Sequence, residues 1–198
     1  MRNSRSSAKS SRFVGARDRP KILAATIELL KSKGYAAVTI EAIAKATGVS
    51  KVTIYRWWPN RAAVVMDAFL EYNSLSVPFE DAGSARETIR KQMSRVSAFF
   101  AGVGGEMMRG LIANCQTDPE LAEVFRTDFL QIRHEAGAAV VKAGVENGEL
   151  RPDIDVQTVL DALYAPLYHR LLTGHAPIDE EFLDRLVDTV FRGITRNG

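Results

Sequence analysis

Two short helical patterns, separated by a tight turn, lie within residues 39–61 and restrict the fold more than any other stretch of the chain. In the first pattern Ile40 and Ile43 recur with helical spacing, directly after Thr39, whose hydroxyl can cap the first turn of a helix. Gly48 follows, and glycine adopts the left-handed conformation that ends a helix without a steric penalty. The sequence therefore predicts a helix that stops at a sharp turn.

A second helix is predicted to begin at Lys51, directly after the turn. Ser50 can cap it, and Ile54 and Trp58, four residues apart, can share its buried face. This spacing leaves four side chains that project outward from its first turn and a half: Lys51, Val52, Thr53 and Tyr55. Lysine can donate to guanine, threonine can bond a base or touch a thymine methyl, and valine offers apolar contact. Such side chains at the exposed start of a helix are typical of a helix that reads DNA bases.

Trp57 and Arg61 follow this second helix, where its end and the next helix would meet the sugar-phosphate backbone of DNA. The Tyr55 phenol, the Trp57 indole and the Arg61 guanidinium can all donate hydrogen bonds. Donors to phosphate position a protein on DNA without reading its sequence. We therefore expect Trp57 and Arg61 to position the module.

The charge of the chain is divided between its two ends. Residues 1–70 contain 13 basic and 4 acidic residues, a net charge of +9, and the rest contains 13 basic and 20 acidic residues, a net charge of −7. A cationic module favours a polyanionic partner, because DNA releases counterions when Lys and Arg neutralise its phosphates. A helical hairpin of another all-α protein could have the same turn, and the segregated charge favours DNA binding over that alternative.

Residues 22–70 resemble the N-terminal DNA-binding domain of TetR-type transcriptional regulators. The segments that carry the resemblance are Lys33-Gly34-Tyr35, Val38-Thr39-Ile40, Gly48-Val49-Ser50, Thr53-Ile54-Tyr55-Arg56-Trp57-Trp58 and Asn60-Arg61. The resemblance implies an all-α fold, with an N-terminal three-helix helix-turn-helix DNA-binding domain and a C-terminal helical domain for ligand binding and dimerisation. It also implies a homodimeric repressor that a small-molecule effector releases from an operator in double-stranded DNA. Activators also occur in this family, and a nonspecific or architectural DNA-binding protein is the alternative function.

The resemblance also implies, by position, which residues contact DNA. They are Thr39, Lys51, Val52, Thr53, Tyr55, Trp57 and Arg61. Thr39 matches the phosphate-contacting threonine that opens the first helix of the motif. Val52 and Arg61 depart from the usual pattern. Many members have Gly, Ala or Pro in place of Val52, and Lys is more usual in place of Arg61. Val52 presents a larger methyl surface to the groove, and Arg61 allows a forked contact with phosphate.

The sequence divides into three segments. Residues 1–17 are rich in Ser and Arg and contain no acidic residue, which is typical of a flexible arm that is either a solvated tail or an additional DNA contact. Residues 18–75 are the predicted DNA-binding domain. A boundary is predicted near residue 76, and residues 76–198 are the predicted ligand-binding and dimerisation domain of four or five helices. Aspartates are predicted to cap three of these helices: Asp118, Asp155 and Asp179.

The last two predicted helices have broad apolar faces, from which we predict a dimer seam. The residues assigned to it are Leu163, Leu167, Leu171, Leu186 and Val190. Residues 168–174 and 182–188 resemble the last two helices of one subgroup of the family, which favours a four-helix contact between two subunits. In a monomer, the same faces would form only core.

Aromatic and methionine side chains of the middle helices are candidates for an effector pocket, because such groups adapt to varied apolar ligands. They are Phe99, Met107, Met108, Leu111, Phe125, Phe129, Tyr164 and Tyr168. An ordinary core uses the same residue types, so core packing is the alternative for each of them. The expected effector is an apolar small molecule.

Other classes of site lack their sequence signals. There is no Gly-rich phosphate loop, no metal-ligand cluster and no Ser, His and acid set that spacing brings together, so no catalysis, metal or cofactor is expected. His134, His169 and His175 have no close ligand spacing, and Cys115 is interpreted as a small core residue rather than a redox sensor. Neither a membrane span nor a signal peptide is indicated, so a cytoplasmic, nucleoid-associated protein is expected.

Overall fold

The computed structural model describes residues 18–74 and 79–196, and most of both ranges is helical. The first range contains α1 (Arg19–Lys33), a short 3₁₀ helix (Tyr35–Ala37), α2 (Ile40–Thr47), α3 (Lys51–Trp57) and α4 (Arg61–Ser74). The second contains α5 (Ala85–Ala101), α6 (Val103–Cys115), α7 (Pro119–Val124), a π-helical segment (Phe125–Leu130), α8 (Gln131–Glu146), α9 (Val156–Thr173) and α10 (Glu180–Ile194). The predicted all-α fold is confirmed.

Within the described ranges, extended pairing is limited to one isolated bridge between Leu150 and Thr195. None of the helices in those ranges combines the length and the apolarity that crossing a membrane requires. The predicted arm, residues 1–17, and the predicted boundary near residue 76 lie outside the described residues.

The chain folds as two compact units. The first contains residues 18–72 together with 110–124, and the second contains the other described residues. The segment 110–124 thus packs with the N-terminal helices, although it lies far from them in the sequence.

Local capping interactions define the helix-turn-helix as the sequence predicted. The Thr39 hydroxyl accepts a hydrogen bond from the Ala42 N–H over 3.0 Å, and the Ser50 hydroxyl accepts one from the Thr53 N–H over 3.2 Å. Gly48 ends α2 in the left-handed conformation, with φ 70° and ψ 10°. Because each of these interactions joins near neighbours in the chain, the turn follows from the local sequence.

Trp58 anchors the end of α3 in the core of the first unit. Its side chain is 1% exposed, and its indole Nε1 donates to Asp67 Oδ2 on α4 over 3.0 Å. Asp67 Oδ1 accepts in turn from Arg19 Nη2 on α1 over 2.9 Å. Ile54, one turn earlier on α3, is fully buried. These contacts connect α1, α3 and α4.

Four long helices form the core of the second unit. α5 packs against α8, α9 and α10, and α9 packs against α8 and α10. Asp155 and Asp179 cap α9 and α10 as predicted, and accept from the Thr158 N–H over 2.7 Å and the Phe182 N–H over 2.8 Å.

One helix differs from the sequence prediction. The sequence predicts a continuous helix from Pro119 toward Glu146, whereas Phe125–Leu130 form a π-helical segment between α7 and α8. A single π-helical turn has no strong signature in the pattern of apolar residues, and it is rare. The pattern alone therefore favoured an uninterrupted α-helix.

Two glycine substitutions test the turn between α2 and α3. Gly48→Ala should lower the free energy of unfolding by about 1–2 kcal/mol, because a Cβ is penalised in the left-handed conformation. Gly110→Ala is the matched control in the same unit: Gly110 lies in α6, where a Cβ meets no atom within 4 Å. Alanine there should raise the free energy of unfolding by about 0.5–1 kcal/mol. Urea denaturation followed by circular dichroism measures both, and an unchanged Gly48→Ala midpoint would contradict the prediction.

Candidate nucleic-acid interface and small-molecule cavity

The start of α3 presents the outward side chains that the sequence predicted. Val52 is 80% exposed and Tyr55 is 51% exposed, whereas Ile54 between them is fully buried. Lys51 is also exposed, and Thr53 is half-buried with its hydroxyl 2.9 Å from the Ser50 hydroxyl. The first turn and a half of α3 therefore offers an ammonium group, an isopropyl group and a phenol on one accessible surface.

Lys51 makes an exposed ion pair with α2. Its Nζ lies 2.9 Å from Glu41 Oε1, and both side chains are more than half exposed. The hydrogen bond from Lys51 lowers the pKa of Glu41, and the carboxylate raises the pKa of Lys51. Exposed pairs of this kind contribute little net energy, so a phosphate or a base edge can compete for the ammonium group.

Thr39 and Trp57 are two further predicted contacts of the helix-turn-helix, and both are half-buried. The Thr39 oxygen accepts the capping bond from Ala42, which leaves its O–H as a donor. Trp57 is half-buried, and the Arg56 guanidinium lies 5.8 Å from its ring centroid. Thr39 therefore keeps a donor group, and Trp57 keeps part of its side chain exposed.

Arg61 belongs to a cluster that sequence reasoning missed. Its Nη2 donates to Asp118 Oδ2 over 2.8 Å, and its guanidinium stacks 4.2 Å from the centroid of the Tyr35 ring. The buried Tyr35 hydroxyl donates to the same carboxylate oxygen over 2.8 Å. Asp118 Oδ1 accepts from the Leu121 N–H over 3.0 Å and so caps α7, as predicted.

Hydrogen bonding keeps this carboxylate ionised. Burial acts to raise the pKa of Asp118, but the bonds from the Leu121 N–H, Tyr35 and Arg61 outweigh burial and hold it below its usual value. Burial and the bond to Asp118 raise the pKa of Tyr35 well above its usual range. Arg61 therefore faces a full negative charge, and about one third of its side chain remains exposed.

The second unit contains a cavity of about 580 Å³, including its mouth. Five of the eight predicted pocket residues line it: Phe99, Met108, Phe129, Tyr164 and Tyr168. The other three, Met107, Leu111 and Phe125, are buried elsewhere. Leu111 lies in the first unit, and the Phe125 ring packs against Phe129 at 5.1 Å.

Nine lining residues were not predicted, and four of these are polar. The polar ones are Asn73, Gln92, Arg133 and His134, and the apolar ones are Phe79, Val96, Phe100, Leu130 and Leu160. One sequence signal was available for Arg133, since it follows Phe129 by four residues and so shares its helix face. Asn73 and Phe79 border a segment that the sequence pattern marks only as a break between domains.

The residues assigned to the dimer seam divide into two groups. Leu163, Leu167 and Leu171 are buried inside the protomer, against its own core, and have almost no surface with which to touch a second subunit. Leu186 and Val190 on α10 are half-exposed. We therefore assign the three leucines of α9 to the core of the second unit.

Comparisons with known proteins agree with this geometry. Residues 22–68 match the family described as "Bacterial regulatory proteins, tetR family", and residues 79–190 match "Tetracyclin repressor-like, C-terminal domain". An uncharacterized HTH-type transcriptional regulator of Bacillus subtilis strain 168, YdeS, is 36% identical over 173 residues, which cover 87% of each chain. A DNA-binding transcriptional repressor of Mycobacteroides abscessus, named TetR, is 28% identical over 89% of this chain and 93% of that protein. The crystal structure of the TetR family transcription regulator SCO0332 has a TM-score of 0.78 and 34% identity, over 88% of this chain and 97% of that one.

The helical fold and the exposed start of α3 define a DNA-binding transcriptional regulator of the helix-turn-helix class. Family matches that cover both units, and a relative that is 36% identical over most of the chain, make the assignment specific. The chain belongs to the TetR family of bacterial transcriptional regulators, whose members bind DNA and small-molecule effectors.

Asp118→Asn tests whether the carboxylate competes with DNA phosphate for Arg61. Asparagine keeps an acceptor for the Leu121 N–H but removes the negative charge. We expect affinity for duplex DNA at fixed salt to rise about fivefold. This factor corresponds to ~1 kcal/mol, the interaction energy of two unit charges 4 Å apart in water. Fluorescence anisotropy with a labelled duplex measures the change.

Asp184→Asn on α10 is the control. Asp184 also forms an ion pair with an arginine, Arg90, but it lies in the second unit. It should leave DNA affinity unchanged. Weaker binding by Asp118→Asn would show instead that the carboxylate helps DNA binding by orienting Arg61.

Proposed function

We propose that the chain is a homodimeric repressor that binds a two-fold-symmetric operator and leaves it when a small, largely apolar molecule occupies the cavity. The observation that carries the proposal is the outward face of α3, where Lys51, Val52 and Tyr55 are exposed while Ile54 is buried. The relative from Mycobacteroides abscessus, a transcriptional repressor by name, supports the direction of regulation. The operator would be met in the cytoplasm, at the nucleoid.

Each exposed group has a role in this proposal. Lys51 donates to guanine O6 or N7, Thr53 contacts a base edge, and Val52 packs on a thymine methyl group. The backbone contacts come from four side chains: Thr39, Tyr55, Trp57 and Arg61. Lys51 would exchange Glu41 for its DNA partner, and Arg61 would share its guanidinium between Asp118 and phosphate.

The dimer would form through the outward faces of α9 and α10. Leu186 and Val190 are the half-exposed apolar residues of α10, and Ala162 and Ala165 are exposed on α9. Small side chains allow two helices to approach closely, and a two-fold axis brings the same patch of each protomer together. A dimer is needed to place two copies of α3 in successive major grooves.

Release requires that the effector distinguish two dimer geometries. A ligand that binds both geometries equally shifts neither, however tightly it binds. We therefore infer that occupancy of the cavity favours a spacing of the two α3 helices that no longer matches the operator.

Selection of bound sequences from a random DNA pool tests the proposed reading surface. The wild-type chain should enrich a palindromic sequence, and Lys51→Ala and Thr53→Ala should each weaken its binding about tenfold or more, the usual worth of a good base contact. The loss should be confined to the selected site, because binding to random duplex depends on phosphate contacts.

Lys142→Ala is the matched control, since Lys142 is exposed on α8 in the second unit. It should bind the selected site as the wild type does. Equal affinity for selected and random duplex would instead indicate a nonspecific or architectural DNA-binding protein.

Ala165→Glu tests the proposed dimer contact. A carboxylate on this face should be buried against its symmetry mate, and like charges in such a position repel, so the variant should be a monomer with intact helical structure. Sedimentation velocity measures the mass, and circular dichroism measures the fold. Ala139→Glu, at an exposed alanine on α8, should remain a dimer. An Ala165→Glu variant that stays dimeric would place the contact elsewhere.

A further inference from the structure

Arg133 brings a positive charge to the wall of the cavity. Its guanidinium Nη2 donates to Asn73 Oδ1 and lies 6.0 Å from the centroid of the Phe129 ring. These contacts hold the guanidinium at the cavity wall. Burial lowers the pKa of Arg133, but arginine remains protonated at physiological pH.

The rest of the wall is mostly apolar or aromatic, and it carries no acid. All fourteen lining residues lie in the described part of the chain, and they include no Asp or Glu and no other Lys or Arg. Six of them are aromatic: Phe79, Phe99, Phe100, Phe129, Tyr164 and Tyr168. Opposite charges attract more strongly in such surroundings than in water, so an anionic ligand is favoured here and a cationic one is repelled.

The neutral polar groups of the wall also favour a ligand that accepts hydrogen bonds, as an anion does. Gln92 Oε1 accepts from the Tyr164 hydroxyl over 2.6 Å, and Asn73 Oδ1 accepts from Arg133, so each amide oxygen already accepts one hydrogen bond. Their NH₂ groups remain as donors. Burial raises the pKa of Tyr168 to about 12, so its hydroxyl also stays protonated and can donate. The wall is therefore richer in available donors than in acceptors.

We propose that the effector is an aromatic molecule that carries one carboxylate, which pairs with Arg133 while its rings pack among the aromatic side chains of the cavity. This inference rests on the proposed ligand-controlled function and specifies the chemistry of its ligand. A carboxylate matches the guanidinium fork with two parallel hydrogen bonds. A phosphate dianion brings more charge than the single arginine of the wall neutralises.

His134 also lines the cavity, beside an acidic residue. About one third of its side chain is exposed, its Nδ1 lies 2.5 Å from Gln157 Nε2, and its Nε2 lies 3.8 Å from Asp161 Oδ1 on α9. Asp161 is exposed and is not a lining residue. Because a second carboxylate beside Asp161 would be repelled, the carboxylate of the ligand is expected at Arg133, and its apolar end among the rings.

Matched pairs of ligands test the proposal. The probes are benzoate, 1-naphthoate, 2-naphthoate and biphenyl-4-carboxylate, each compared with its own primary amide by isothermal titration calorimetry on the full chain without DNA. At least one acid should bind about tenfold or more tightly than its amide, as expected for a hydrogen-bonded charge pair. The preference should disappear in Arg133→Met, with binding of the amide retained within about threefold.

Two further variants separate recognition from folding. Arg133→Lys keeps the charge but loses the fork, so it should retain part of the preference for the acid. Arg185→Met, at an exposed arginine on α10, should retain all of it. Thermal unfolding checks that each variant is folded, and the comparison of acid with amide in the wild-type chain holds even if Arg133→Met does not fold.

Three results would overturn the proposal: no acid binds up to its solubility limit, the amides bind as tightly as the acids, or the preference for the acid survives in Arg133→Met. Adding the selected operator DNA separates this proposal from the proposed function. An acid that binds but leaves the operator bound would contradict ligand-controlled release and leave the ligand class intact. Release by the amides alone would contradict the ligand class and leave the proposed function intact.

Discussion

Burial of one side of α3 holds the proposed DNA-reading surface in position. A helix of seven residues is too short to be stable alone in water, so its orientation depends on tertiary contacts. Ile54 and Trp58 supply those contacts, and the bond from Trp58 to Asp67 joins the end of α3 to α4. Asp67 also binds Arg19, so the same carboxylate connects α1 to the arrangement. The exposed positions of Val52 and Tyr55 follow from this buried edge.

Carboxylates hold two of the cations assigned to DNA. Lys51 pairs with Glu41, and Arg61 pairs with Asp118 beneath the Tyr35 ring. Such partners order the long side chains before DNA arrives, which reduces the entropy lost on binding. They also offset part of the positive potential of the first unit. The two pairs differ in burial, since the Glu41 pair is exposed and the Asp118 pair is shielded, so Lys51 is the easier of the two to transfer to DNA.

The proposed effector site combines two kinds of recognition. Aromatic walls accept many flat apolar molecules, whereas a single guanidinium and several hydrogen-bond donors discriminate by charge. Because the oxygens of Asn73 and Gln92 are engaged by Arg133 and Tyr164, the polar part of the wall has a defined preference for acceptors. A regulator with such a site can tolerate variation in the ring system of its effector and still reject a neutral analogue of that effector.

The amino-acid sequence by itself determined the helix-turn-helix, because Thr39, Gly48 and Ser50 act through bonds and backbone angles within a few residues of themselves. It also predicted which side of α3 is buried, since helical spacing places Ile54 and Trp58 together. Only the tertiary structure decided what those faces pack against. Arg61 meets a carboxylate 57 residues away, Arg133 reaches the cavity, and three leucines of α9 fill the core of their own protomer. An apolar pattern states that a helix face is covered, but the covering surface depends on how distant segments pack.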